Sequence, residues 1–123
     1  MKKHPVRDAL QKASKGLLFV SETEAELEPF LWKDGGELTR ELLLERAGAA
    51  EGTPVEETGL DRFFRAVPGE DQAKFQKLTK VLRGQLSGVK VYKLGGEAER
   101  QVYIVGRTPD GQWAGLKTTV VET

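Results

Sequence analysis

Few residues in this sequence could carry catalytic chemistry. Its single histidine, His4, sits just before Pro5 near the N-terminus. A Ser-His-Asp relay needs its histidine ordered in a cleft, so His4 reads as a terminal side chain. Cysteine is absent. That removes thiolate nucleophiles, structural disulfides and thiolate zinc sites, and with one histidine it leaves no set of transition-metal ligands. No glycine-rich phosphate loop is present, and Gly35-Gly36 and Gly95-Gly96 are isolated pairs that read as turns. Glu22, Glu24, Glu26 and Glu28 recur at every second position. Paired carboxylates can act as general acid and base. At this spacing, however, a strand would crowd four like charges onto one face, and a loop would splay them outward. At the other end, Glu122 and Thr123 set a carboxylate side chain, a hydroxyl and the terminal carboxylate in a row. On the end of a rigid strand, such a tail can carry hard oxygen ligands into a pocket too narrow for a loop.

The charges around these residues are segregated. The chain has 123 residues, with 19 Lys and Arg against 19 Asp and Glu, so its formal net charge is zero. A bulk attraction to nucleic acid or anionic lipid is thereby excluded. Residues 22–61 nevertheless hold twelve acids against Lys33, Arg40 and Arg46, whereas residues 74–93 hold Lys74, Lys77, Lys80, Arg83, Lys90 and Lys93 with no acid. Two solvated faces that attract each other within one domain account for the basic stretch. The acids are denser than solubility requires, and an acidic patch can steer a protein onto a basic cleft. Lys74, Lys77, Lys80 and Arg83 step round a helix instead of lining one stripe, and Phe75 falls on an apolar stripe, which argues against direct nucleic-acid binding.

These residues need a frame. A chain of this length makes a single domain, residues 1–123, able to bury about two thirds of the surface its unfolded form exposes. Val6, Leu10 and Ala13 predict a helix over residues 5–15, with Pro5 in its first turn and Gly16 at its end. Leu17–Val20 reads as a buried strand, Glu22–Glu26 as an exposed connection and Pro29–Trp32 as a second strand. Leu38, Leu42 and Ala47 share a helical face closed by Gly48, residues 49–59 read as loop, and Thr58 and Asp61 are spaced as in a capping box before a short Leu60–Phe64 helix. Pro68-Gly69 opens a helix striped by Phe75, Leu78, Leu82 and Leu86. After Gly88 the apolar period changes from 3.6 to 2. This predicts strands at 89–94, 101–105 and 113–121, the last two joined by a Thr108-Pro109-Asp110-Gly111 turn. The expected fold is α/β, a three-layer α/β/α sandwich with a largely antiparallel central sheet and a C-terminal β-meander. No apolar run suits a signal peptide or a membrane span, so a soluble, cytoplasmic protein is expected.

Taken in order, several stretches resemble the bacterial nuclease A inhibitor family. They are Ala13–Glu22, Phe30–Trp32, Leu60–Phe64, Ala73–Leu78, Val91–Gly95, Val102–Gly106, Thr108–Gly111 and Ala114–Thr123. The resemblance covers nearly the whole chain, and its C-terminal stretch is the most specific part. It implies an α/β/α sandwich that is not an enzyme. Such a protein blocks a sugar-non-specific, Mg²⁺-dependent ββα-metal endonuclease by plugging its active site. In the family the C-terminal Thr reaches the nuclease's catalytic metal, a position matched by Thr123. A Glu after the first strand also enters the nuclease site, and the match is Glu22. Glu24 and Glu122 are then supporting acids. The metal belongs to the partner, so no cofactor of the inhibitor's own is implied. The expected assembly is a monomer that binds the nuclease one to one, with neither nucleic acid nor membrane as partner. Between the Phe63-Phe64 helix and the Lys74-Phe75-Gln76 helix the family carries a longer acidic and aromatic insertion. Here it is shortened to Ala66–Gln72 and has no aromatic residue. The alternative reading is a general interaction module of the same fold with an unrelated basic partner.

Overall fold

The computed structural model describes residues 5–20, 24–32, 37–65, 67, 69–95 and 98–122. Helix α1 spans Pro5–Ser14 and buries Val6, Leu10 and Ser14, one residue per turn along a single face. Strands β1 (Leu18–Val20) and β2 (Glu24–Glu26) form an antiparallel hairpin. Strand β3 follows at Glu28–Trp32. Helix α2 (Arg40–Ala47) starts at Thr39, whose side-chain oxygen accepts from the Leu42 N–H, and stops at Gly48 in the left-handed region at φ 69°. Strand β4 (Val55–Thr58) and helix α3 (Leu60–Phe64) come next. A 3-10 turn at Gly69–Asp71 leads into helix α4 (Gln72–Gln85). Strands β5 (Ser87–Leu94), β6 (Ala98–Arg107) and β7 (Trp113–Glu122) complete the chain.

A five-stranded sheet runs β3-β7-β6-β5-β4 with every neighbouring pair antiparallel, and the β1–β2 hairpin forms a separate two-stranded sheet. The C-terminal meander thus matches the period-2 reading. Its β6–β7 turn closes where expected: Gly111 adopts φ 85° and donates to the Thr108 carbonyl at 3.0 Å. The Thr108 hydroxyl meets the Asp110 carboxylate and accepts from the Gln112 N–H at 2.9 Å.

Alternation along β6 explains how the sheet is covered. Val102 and Ile104 join one apolar cluster with residues of α1, α3 and α4, among them Leu10, Phe63, Phe75, Leu78 and Leu82. Tyr103 and Val105 point the other way, into a second cluster with Phe30, Leu43 and Leu44. Each face of the sheet is therefore buried by its own set of side chains. The Phe75, Leu78, Leu82, Leu86 stripe is buried throughout, as its spacing predicts.

Four local expectations are corrected. Glu24–Glu26 is strand and not connection, because β1 supplies a pairing partner with Val20 opposite Glu24. Residues 55–58, read as loop, form edge strand β4, held by pairing to β5 despite its two glutamates. Gly59, and not Thr58, caps α3, without a side-chain bond. On α2 the buried leucines are Leu43 and Leu44, which pack with Phe30, Tyr103 and Val105, while Leu42 and Ala47 on the helix and Leu38 before it are only partly covered. Pro68, expected to open a helix, lies outside the described residues.

Folding also cancels part of the charge segregation. Glu56 on β4 lies 3.2 Å from Arg100 and 3.9 Å from Lys93, and Glu57 lies 3.6 Å from Lys90. Asp61 on α3 pairs with Arg83 on α4 at 2.9 Å. The acids of the β4 and α3 region thus face the basic stretch within the domain.

Candidate partner-binding edge

One exposed acid without an ion pair among the described residues, Glu26, stands where the hairpin meets β7. Leu27 is buried at 6% exposure between β2 and β3 and ties the hairpin to the core. From there the chain reverses through β2 and β1, with Leu18 opposite Glu26 and Phe19 opposite Ala25. Strand β3 pairs with β7 only over residues 113–117, ending at Glu28 opposite Lys117. Beyond that point β6 keeps pairing with β7 to the end, Ala98 opposite Glu122, and both β1 and β2 contact β7. Strand β7 is therefore paired with β6 along its whole length and also touched by the hairpin.

A groove of about 510 Å³ opens here, lined by Glu26, Glu28, Gln101, Tyr103, Lys117 and Thr119, among others. Glu28 and Lys117 approach within 3.8 Å, but both side chains are well exposed, so the pair is a weak tether. Glu26 is exposed and has no ion pair among the described residues. Burial pushes the Tyr103 phenol on the groove wall above its ordinary value. Thr118, just past the last β3–β7 pair, is 8% exposed, and its hydroxyl has no hydrogen-bond partner among the described residues. Among those residues no group of three or more His, Asp or Glu side chains is set to hold a metal ion, and no helix is long and apolar enough to cross a membrane.

Of the residues singled out in the sequence, Glu22 and Thr123 lie outside the described residues. Glu24 and Glu122 are described only as backbone, Glu24 in β2 opposite Val20 and Glu122 closing β7. The structure brings together the strands on which these two stand. The four-glutamate series is split, with Glu24 and Glu26 in β2 and Glu28 in the following strand. Glu99 was not singled out. The β6–β7 register sets it opposite Val121, one residue from Glu122, and it is exposed. Its sequence signal was a lone acid at the start of a strand, meaningful only once the register is known.

The arrangement defines a mixed α/β domain that presents the exposed Glu26 on a hairpin in contact with β7. The chain belongs to the nuclease A inhibitor-like protein family, which it matches over residues 4–123. No curated protein matches the chain.

Proposed function

We propose that this protein inhibits a nuclease, and that it does so as a single domain occluding the active site of a non-specific, Mg²⁺-dependent ββα-metal endonuclease. The observation that carries the reading is the family match over residues 4–123. The contact of β1 and β2 with β7 supports it, because Glu22 follows β1 and Thr123 follows β7 in the chain. In this reading Glu22 takes the place of a substrate phosphate against cationic side chains of the cleft, through charge-assisted hydrogen bonds. Thr123 offers oxygen to the nuclease's Mg²⁺, a hard cation that takes oxygen ligands. The metal is the partner's, the inhibitor itself carries no catalytic group, and Glu24 and Glu122 add negative potential that steers the encounter. The two apolar clusters are read as the two interfaces of an α/β/α sandwich, and the expected assembly is one inhibitor per nuclease in the cytoplasm.

The test is DNA digestion by a ββα-metal nuclease titrated with this protein. Inhibition saturating at one equivalent is expected. Glu22→Ala and deletion of Thr123 should each weaken it by about 30- to several-thousand-fold, corresponding to about 2–5 kcal/mol for a truncated interfacial charge contact. Full inhibition by both variants refutes the assigned mechanism. Binding that does not compete with nucleic-acid substrate would point instead to an interaction module with a different docking site.

A further inference from the structure

On the inhibitor reading, we propose that Leu18 and Glu26 form a second contact pair of the same interface, an apolar anchor beside a carboxylate, fitting a nuclease rim that carries an apolar side chain flanked by lysine or arginine. Leu18 is the one large hydrophobic residue among the described residues that is exposed, at 40%. Folding of the hairpin does not require that exposure, because Leu17 and Leu27 on either side already pack on the core. Covering the exposed Leu18 side chain would add apolar burial to an interface.

Its surroundings say what would cover it. Leu18 is the direct cross-strand partner of Glu26, so the two side chains leave the same face of the hairpin about 5 Å apart. Both line a groove of about 570 Å³ together with Leu17, Leu27 and Pro29 and with the polar Lys15 and Glu28. Glu26 has no ion pair among the described residues, so its charge is available to a cationic partner. Leucine side chains with charged groups around them match the apolar centre and polar rim of protein interfaces. Position supports the same conclusion. Leu18 and Val20 are two residues, about 7 Å, apart along β1, and Val20 immediately precedes the segment that carries Glu22. A standard interface covers about 800 Å² on each partner, ample to take in both.

The experiment measures inhibition of a ββα-metal nuclease by Leu18→Ala, Leu18→Met and Glu26→Gln, each first checked for an unchanged thermal midpoint. Leu18→Ala is expected to weaken inhibition at least tenfold at every salt concentration, and Leu18→Met to stay within a few-fold of the parent. Glu26→Gln should weaken it several-fold at low salt, mainly through slower association, with the loss shrinking as salt is raised. If Leu18→Ala and Glu26→Gln inhibit like the parent while Glu22→Ala and the Thr123 deletion fail, the second contact is overturned and the inhibitor reading stands. If the parent inhibits no such nuclease, both fall. A concentration-dependent dimer in sedimentation that is lost in Leu18→Ala also overturns the proposal, by making a second copy the occupant.

Discussion

Thr118 gives the sharpest test of the packing. It lies on β7 opposite Val102, between Leu116 and Val120 on the same face of the strand, and those three neighbours are at most 2% exposed. Its hydroxyl is buried with no partner among the described residues. A hydroxyl buried in this way costs about 1–3 kcal/mol. Valine keeps the β-branched shape and strand preference and puts a methyl in the same space, which itself favours burial by about 0.8 kcal/mol. Thr118→Val is therefore expected to stabilise the fold by about 1–2 kcal/mol, or a rise of about 3–6 °C in Tm for a domain of this size. Thr118→Ser keeps the unsatisfied hydroxyl and loses the methyl, so it should fall about 1 kcal/mol below the parent. Urea unfolding followed by circular dichroism reads both changes. The midpoint should move in opposite directions for the two variants while the denaturant slope stays constant. A Val variant no more stable than the parent would mean that the hydroxyl has a partner, and the account of this site would be wrong.

Three further expectations follow from other parts of the molecule. At Gly115 an added Cβ would sit 1.6 Å from the Ile104 carbonyl oxygen and 3.3 Å from the Phe30 ring, so Gly115→Ala should destabilise by about 3 kcal/mol or more; an unchanged Tm would contradict the close β6–β7 approach. Glu56 meets Arg100 and Lys93 from a side chain that is 59% exposed, so Glu56→Gln should lose under about 1 kcal/mol at low salt and nothing measurable near 1 M salt; a large, salt-independent loss would refute this. The Tyr92 phenol is raised above 10.0, first by burial and then by the charge and hydrogen bond of Glu57. The folded state thus prefers the protonated phenol, so this stabilisation is complete below about pH 10 and declines as pH rises beyond it. Glu57→Gln should lower the Tyr92 midpoint in an ultraviolet phenolate titration without abolishing the burial effect, and an unmoved midpoint would exclude the Glu57 contact.

What the sequence revealed depended on whether its signal was local. The α4 stripe and the C-terminal meander follow from apolar period alone, and both are found as read. Strands β2 and β4 were missed for a shared reason. Glu24–Glu26 and Val55–Thr58 are rich in acids, and they become strands only because β1 and β5 offer backbone partners. The leucine run at 42–44 hides the face of α2, which becomes definite only once Leu43 and Leu44 pack with Phe30, Tyr103 and Val105. The charge map was half informative. Glu56, Glu57 and Asp61 are balanced by Lys90, Lys93, Arg100 and Arg83 within the fold, whereas Glu26 is left over at the hairpin. Glu24 and Glu122 were found on strands that meet, but no local pattern could show that Leu18 would be left in water or that Glu99 would stand beside the end of β7.

Among the described residues the hairpin shares no ladder with the main sheet, and that separation sets two clocks in the molecule. A two-stranded sheet is marginal by itself, and opening this one breaks none of the ten pairs between β6 and β7. Backbone amides of β1 and β2 should therefore trade their hydrogens for deuterium well before those of Val102–Val105, whose release waits for unfolding of the whole domain. Anything that grips the hairpin would slow the fast clock and leave the slow one untouched. Occupancy of this edge could thus be followed without a label, with the sheet interior as its internal standard.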